Sequence, residues 1–340
     1  MHPGVYGAKL IQYALPINLI KKWNDDFVEL SLLLGKQVLS MLVMMLVGIF
    51  AAKTHLVDSS ANKSLSTLVL YIFSPCALLA AFQMDFDAQK LVSLGVVTFF
   101  AVIAHLFFIL MAQFVFFRKK TAFSNANRAA LIYTNCGNLT IPLISATLGQ
   151  EAVFYSCGYM LVSSILLWTH GRVVMSEDIR SISVKNIVFN SNIIAIVVGL
   201  GMFLTGLRFP SVLDSAVNSY SGAMGAVSML ALGLMLGGNN LKEIFADKRV
   251  YWVCFLRLIA LPLLLILFFK FTGLAYIVSN GKELLTVVLI AAFAPVAAAV
   301  AMFAQLFEKN PDYASRLTGV STMLSIASMP LMVAASQILL

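Results

Sequence analysis

Ten consecutive residues near the middle of the chain read Tyr133-Thr134-Asn135-Cys136-Gly137-Asn138-Leu139-Thr140-Ile141-Pro142. They lie within an otherwise apolar run, residues 129–148. Proline has no N–H and its ring crowds the carbonyl of Asn138, while Gly137 relaxes the backbone, so we expect a helix to break here. In apolar surroundings unpaired backbone groups are tolerated only where protein buries them or water reaches them. The stretch is therefore predicted to line a cavity.

The composition indicates a membrane environment. Of the 340 residues 60% are apolar and 11% are charged, and the mean hydropathy is +0.92. A spanning helix needs roughly 20 apolar residues, and there is no room for a large soluble domain. We expect an all-α transmembrane fold. Apolar runs between charged or turn-forming residues predict ten spans: 31–52, 65–84, 91–117, 129–148, 152–174, 187–206, 212–238, 251–269, 284–307 and 313–339.

The formal charge of +8 reflects topology rather than a nucleic-acid partner, because the Lys and Arg residues are scattered through short loops. Fourteen Lys and Arg residues lie on the side of the membrane that holds the loops after the odd-numbered spans, and seven lie on the opposite side. Since cytoplasmic loops retain basic residues, both termini are predicted outside the cytoplasm of a cell membrane. Residues 1–30 are expected to form an extracytoplasmic interfacial helix or to be disordered. The four cysteines lie in apolar stretches and predict no disulfide, metal or cofactor site.

Weak self-similarity predicts two inverted repeats. Gly48 falls on Gly199 at an offset of 151 residues, and Pro142 then lands two residues short of Pro295. Because five helices precede the second unit, the units are expected to be inverted in the membrane. The predicted organisation is a first five-helix repeat at 31–174, a cytoplasmic linker at 175–186 and a second repeat at 187–340. Chance matching between apolar segments is the alternative.

The ninth span carries the counterpart of the polar stretch, with Phe293, Ala294, Pro295 and Val296 among alanines. Two broken helices crossing at mid-membrane direct half-helix N-termini at the crossing, and each end carries roughly half a positive charge. An anionic ligand is therefore expected there. Asn135 and Asn138, three residues apart, supply amide N–H donors. The alternative is that these polar and small residues only pack helices together.

Other candidate residues lie within the spans. The second span carries Tyr71, Ser74 and Pro75, for which a simple kink is the alternative. Arg257 is expected to pair with Asp214 or to extend to the cytoplasmic face. His105 and His170 are interpreted as packed or interfacial histidines, with proton coupling as the alternative. No acidic pair lies deep in the membrane, so backbone carbonyls at the breaks are the groups that could bind Na⁺.

In their order along the ten spans these residues resemble the auxin efflux carrier family of membrane permeases. The resemblance rests on Leu68-Val69-Leu70-Tyr71 to Pro75, Asn135-Cys136-Gly137-Asn138 with Ile141-Pro142-Leu143 and Leu148-Gly149, Trp168-Thr169-His170-Gly171, Met229-Leu230-Ala231-Leu232-Gly233, Arg257-Leu258 to Leu261-Pro262-Leu263, and Ala314-Ser315-Arg316 with Ser321-Thr322-Met323-Leu324-Ser325 and Pro330. It implies two inverted five-helix units, as in plant auxin exporters and bile-acid sodium symporters, with a scaffold lobe and a transport lobe flanking broken spans 4 and 9. Bacterial relatives are described as carriers of malonate, malate or similar organic anions. The chain departs from the family in three ways: Pro75 lacks a partner in the second repeat, the loop near 175–186 is short, and residues 1–30 have no counterpart.

The sequence thus favours a secondary carrier of small organic anions, dicarboxylates or auxin-like weak acids, working by alternating access. The predicted partners are that anion and the lipid bilayer, and a homodimer is left open. A membrane sensor that binds the ligand without moving it is the alternative. An intramembrane enzyme is disfavoured because no nucleophile–base pair has a useful spacing. The predicted substrate-binding residues are Asn135, Gly137, Asn138, Thr140, Pro142, Phe293, Ala294, Pro295, Val296, Tyr71, Ser74 and Pro75.

Overall fold

A computed structural model describes residues 35–37, 39–58, 61–116, 123–238 and 247–340. The predicted N-terminal segment 1–30 lies outside these residues. The described chain is helical, with one isolated antiparallel bridge and two short 3₁₀ turns, Ile179–Ser181 and Leu274–Tyr276. Its helices are α1 Gly35–Lys53, α2 Ala61–Ala81, α3 Ala88–Phe116, α4 Ser124–Ile132, α5 Ile141–Leu148, α6 Gln150–Ser176, α7 Val184–Val188, α8 Ser191–Thr205, α9 Ser211–Gly237, α10 Lys248–Thr272, α11 Gly281–Ala292, α12 Ala298–Leu306 and α13 Pro311–Leu339.

Seven of these helices are long and apolar enough to cross a membrane: α1, α2, α3, α6, α9, α10 and α13. The segment Ile179–Val188 and α8 also meet this criterion together, with a bend of 47° between them. Large apolar side chains such as Phe114 and Phe271 project outward from the helices, which suits contact with lipid. The all-helical membrane fold is therefore confirmed. The fourth and ninth predicted spans are not continuous helices, since α4 and α5, and α11 and α12, are separate segments.

Prolines widen helices in this fold. Pro75, Pro142 and Pro262 each follow a π-helical turn by two residues, the turns being Val69–Phe73, Cys136–Thr140 and Leu256–Ala260. A proline supplies no N–H to the preceding turn and its ring crowds that turn's carbonyl, so the turn opens to a wider spacing. The expectation that Pro142 itself breaks its helix is wrong, because Pro142 lies in the first turn of α5 and the break comes earlier, at Tyr133–Asn135.

The helices pack in two groups. In the first group α1 packs against α9, and α8 packs against α2. In the second group α3, α6, α10 and α13 pack around the broken pairs α4–α5 and α11–α12. Glycines set the contacts of the first group: a Cβ on Gly48 of α1 would lie 2.5 Å from the Leu230 carbonyl oxygen of α9, and one on Gly233 would be closer still to α1. Small residues therefore let these backbones touch, as is usual between membrane helices.

The contact between α8 and α2 gives a matched test. Gly199→Ala places a methyl group against the ring of Phe82, which is buried and packs edge-to-face on Phe154, so the ring cannot give way. We expect a lower thermal-unfolding midpoint in detergent. Gly201→Ala, two residues on, meets open space, so it should be neutral or stabilise by up to about 1 kcal/mol through helix propensity. Equal midpoints for the two variants would contradict this packing.

Candidate functional site: the paired helix breaks

The two helix breaks pair with each other. After α4 the backbone becomes extended at Tyr133, and before α12 it is extended at Ala297. The Asn135 N–H donates to the Pro295 carbonyl (2.8 Å), and the Ala297 N–H donates to the Tyr133 carbonyl (3.0 Å). Thr134 and Val296 thereby form an antiparallel bridge. Four backbone groups that the missing helical turns would have satisfied are thus satisfied by the other break.

The Arg257 side chain hydrogen-bonds to both breaks, a contact that the sequence does not predict. It lies in the π-helical turn of α10 and is completely buried, at 0% exposure. Its Nη1 donates to the Leu131 carbonyl (3.0 Å), and its Nη2 donates to the carbonyls of Ala292 (2.7 Å) and Ala294 (3.1 Å). The expected pairing with Asp214 and the expected extension to the cytoplasmic face are both wrong. Deep burial costs a charge roughly 2.5–3.5 kcal/mol on insertion scales, and carbonyl acceptors at helix C-termini offset that cost.

Helix α13 supports the second break through Ser321. The Val296 N–H donates to the Ser321 hydroxyl oxygen (3.2 Å), and that hydroxyl donates to the Thr318 carbonyl of its own helix (2.9 Å). Pro295, in the middle of the break, has no N–H to satisfy. The break is therefore held from three sides, by the first break, by α10 and by α13.

Unpartnered polar atoms border the paired breaks. Among the described residues the buried His105 Nε2, Thr134 Oγ1, Tyr159 hydroxyl and Arg257 Nε lack hydrogen-bond partners. The rings of His105 and Tyr159 are 4.8 Å apart, and His105 Nδ1 lies 2.8 Å from the Ala101 carbonyl oxygen, which makes Nδ1 the donor and leaves Nε2 as an acceptor in the neutral ring. His105 is thus a packed histidine, as predicted.

His170, the second histidine within the predicted spans, also contacts the first break. The Tyr133 hydroxyl lies 2.7 Å from His170 Nδ1 and donates to the Leu166 carbonyl of α6 (3.1 Å). A Cβ on the neighbouring Gly171 would lie 3.0 Å from the Tyr133 ring. The extended residue Tyr133 is therefore fixed by side-chain contacts with α6 as well as by its backbone.

The structure brings together most, but not all, of the predicted site residues. Asn135 and the segment Phe293–Val296 form the paired breaks, and Gly137, Thr140 and Pro142 follow directly in the helical segment that leads into α5. The backbone of Asn138 belongs to the same π-helical turn. The three residues of the second span lie elsewhere, on α2.

The α2 residues make other contacts. The Ser74 hydroxyl is buried and donates to Asn192 Oδ1 of α8 (2.9 Å). Tyr71 is 61% exposed on the outer surface. Pro75 follows the π-helical turn of α2 without breaking the helix. In the described structure Ser74 therefore fastens α2 to α8.

A cavity of about 250 Å³ lies beside Pro142. Its walls come from both helix groups and include Gln37, Pro142, Ser145, Gln150, Ser221 and Gly222. A Cβ on Gly225 of α9 would lie 3.1 Å from Pro142, so α9 passes close to the helical segment that starts at the first break. The polar lining is neutral, with Gln150 Nε2 donating to the Ser145 hydroxyl (3.1 Å). The cavity suits a small polar solute, being slightly smaller than pockets for drug-sized ligands, about 300–1,000 Å³.

A larger opening of about 640 Å³ lies where α6 and α11 begin and α13 ends. Its lining carries charges, including Glu151, Lys282 and Glu283, and Lys90 approaches Glu151 to 3.3 Å. Because both signs are present, this opening shows no preference for one class of ion.

Comparisons with known proteins indicate a membrane transport protein. The family described as membrane transport protein matches residues 34–185 and, separately, residues 176–333. A protein of Methanothermobacter thermautotrophicus, named an uncharacterized transporter, is 30% identical over 204 residues. That alignment covers 58% of this chain and 63% of the archaeal protein. The chain is thus aligned with less than two thirds of this relative.

Ser321 provides a test of the paired breaks. Ser321→Ala leaves the buried Val296 N–H without an acceptor, which should lower the free energy of unfolding by about 1–3 kcal/mol. Ser325→Ala is the matched control, since Ser325 lies one turn later on α13, is equally buried and donates only to Thr322 of its own helix (2.7 Å). The thermal-unfolding midpoint in detergent should therefore be clearly lower for Ser321→Ala than for Ser325→Ala. The reverse order would mean that Ser321 does not support the break.

Proposed function

Because the chain belongs to the membrane transport protein family, we propose that it is a multi-pass secondary carrier of small organic anions that works by alternating access. The observation that carries this proposal is the pairing of two helix breaks. A polar cavity that both helix groups line lies beside Pro142, on the helical segment that leads away from the first break. Substrate sites of many secondary transporters lie where discontinuous helices meet.

The anion preference follows from the charges around the breaks. The helical segment starting at Cys136 and the helix α12 both begin at the paired breaks, and helix N-termini carry roughly half a positive charge. Arg257 adds a full positive charge. Its electrostatic neighbours among the described groups are Tyr159, Cys136 and His105, none of which is a carboxylate. An anion approaching the breaks therefore meets positive potential on several sides, and the neutral amide of Asn135 orients it.

Asn135, Gly137, Asn138, Thr140 and Pro142 would contact the anion from the first repeat, and Phe293–Val296 from the second. Dicarboxylates such as malonate or malate, or an auxin-like weak acid, are the proposed substrate class. Tyr71, Ser74 and Pro75 would act on the site only through the packing of α2.

Two inverted five-helix repeats, 31–174 and 187–340 with a linker at 175–186, account for several separate features. Seven described helices, and α8 together with the bent segment before it, meet the criterion for a membrane span, and counting the two broken pairs as one crossing each would give ten. Gly48 of α1 contacts α9, and Gly199, its partner at the 151-residue offset, contacts α2. This reciprocal contact is expected if α1 corresponds to α8 and α2 to α9. The antiparallel pairing of the breaks is also expected of inverted units.

The two helix groups would supply a scaffold and a moving part. The group of α1, α2, α8 and α9 would be the scaffold, and the group that carries the breaks would move against it. Their interface contains flexible methionines, Met41, Met45, Met229 and Met329, which line a void of about 20 Å³ beside Leu139 and Leu143. Methionine adapts to changing neighbours because its side chain is unbranched and polarizable. We place the carrier in the cell membrane with both termini outside the cytoplasm.

The alternative is a membrane sensor that binds the same anion and moves nothing. Counterflow in proteoliposomes separates the two functions, because only a carrier exchanges internal unlabelled anion for external labelled anion. We expect saturable counterflow with a subset of a panel of dicarboxylates and aromatic acids. Saturable binding without counterflow by any acid would favour the sensor.

The cavity beside Pro142 gives a variant for this assay. Gly222→Leu places a side chain in open space at the cavity wall, so it should reduce counterflow at least tenfold while leaving the thermal-unfolding midpoint nearly unchanged. Gly95→Leu is the control, since a side chain on the exposed face of α3 also meets open space but lies outside the cavity. Full counterflow by Gly222→Leu would show that the transported anion does not pass through this cavity.

A further inference from the structure

Three backbone carbonyls at the helix breaks accept hydrogen bonds from the Arg257 guanidinium. Leu131 is the penultimate residue of α4, Ala292 is the last residue of α11, and Ala294 lies in the unwound segment that follows. Secondary transporters that bind Na⁺ at helix breaks coordinate it with unwound backbone carbonyls and half-helix C-terminal ends. Here the same kinds of carbonyl, one from the first break and two from the second, accept hydrogen bonds from a single guanidinium.

The guanidinium is held as a cation and not as half of an ion pair. No ion pair of the described residues includes Arg257, and the ionisable groups that interact with it are Tyr159, Cys136 and His105. Its Cζ lies 4.8 Å from the ring centroid of Phe108, a cation–π contact. Carbonyl dipoles and an aromatic face are the groups that stabilise a cation where no anion is available.

We propose that the Arg257 guanidinium permanently occupies a monovalent-cation site formed by the two helix breaks, in the place where a coupling ion such as Na⁺ would bind. The chain thus carries its own cation and needs no Na⁺ to hold the breaks together. Replacing Arg257 with a small neutral residue frees the three carbonyls that now accept hydrogen bonds from one guanidinium. The freed carbonyls should then bind Na⁺. The site rests on the geometry alone, and its consequence for coupling rests on the proposed carrier function.

Thermal unfolding of purified protein in detergent tests the site without any transport assay. Midpoints are compared in NaCl, KCl and choline chloride at equal ionic strength. The wild type should have the same midpoint in all three salts. Arg257→Ala should unfold at a lower temperature in choline and regain roughly 2–4 °C, saturably, as Na⁺ is added, because a ligand stabilises the state that binds it.

Two further variants make the result specific. Arg257→Lys keeps a cation at the site, so it should show no response to Na⁺. Arg249→Ala removes a guanidinium from the same helix, but an exposed one that pairs with Asp247 (2.8 Å), and it should also be insensitive to Na⁺. A Na⁺ response in the wild type, or no specific Na⁺ response in Arg257→Ala, would overturn the proposal.

If Arg257→Ala cannot be purified, the same comparison of salts on Arg257→Gln and counterflow by the wild type test the proposal instead. Arg257→Gln retains amide donors but no charge, and it should gain the same Na⁺ response. Wild-type counterflow should proceed equally in Na⁺ and in choline, and dependence on Na⁺ would count against a resident cation. Absence of counterflow with every acid would instead contradict the carrier function and leave the stability test of the site in force.

Discussion

The structure depends on one constraint: a helix that is broken in apolar surroundings must find partners for its backbone N–H and carbonyl groups inside the protein. Here each break supplies partners for the other, through the hydrogen bonds that join Asn135 to Pro295 and Ala297 to Tyr133. Carbonyls that this pairing does not reach accept hydrogen bonds from Arg257. Neither break could persist alone, so the two halves of the chain are joined at this point.

Other parts of the fold follow from this pairing. Helix α10 must bring a buried guanidinium to the breaks, and α13 must bring the Ser321 hydroxyl to Val296. The helical segments that begin at the breaks present N-termini to the same region, and this is the reason for proposing an anion as the ligand. The cavity beside Pro142 forms where this group of helices meets α9 and α1. The polar side chains that line this cavity, among them Gln37, Ser145 and Gln150, are uncharged.

Much of this was readable from the sequence, because helix breaks in apolar spans have local signals. The polar stretch 133–142 and the small residues around Pro295 correctly marked both broken spans. The position of the first break was not predictable from Pro142, since a proline disturbs only the turn before it, whereas the extended backbone at Tyr133 is stabilised by contacts with α6 and α12. The sequence marks Arg257 as a costly charge within a span, but its partners are backbone carbonyls, which carry no sequence signal. It predicts Ser74 at the site because this hydroxyl lies beside the proline of the second span, and only tertiary structure reveals its bond to Asn192.

Cross-linking of Thr134 to Val296 tests the pairing of the breaks most directly. The hydrogen bonds on either side make these two residues a non-hydrogen-bonded antiparallel pair, for which Cα atoms are roughly 4.5 Å apart, within the range that a disulfide spans. The experiment uses Thr134→Cys with Val296→Cys after replacement of Cys76, Cys136, Cys157 and Cys254 by alanine, mild oxidation of the folded protein, and mass spectrometry of the linked peptides. The account predicts a 134–296 disulfide in most molecules. Two free thiols at these positions in folded protein would contradict it.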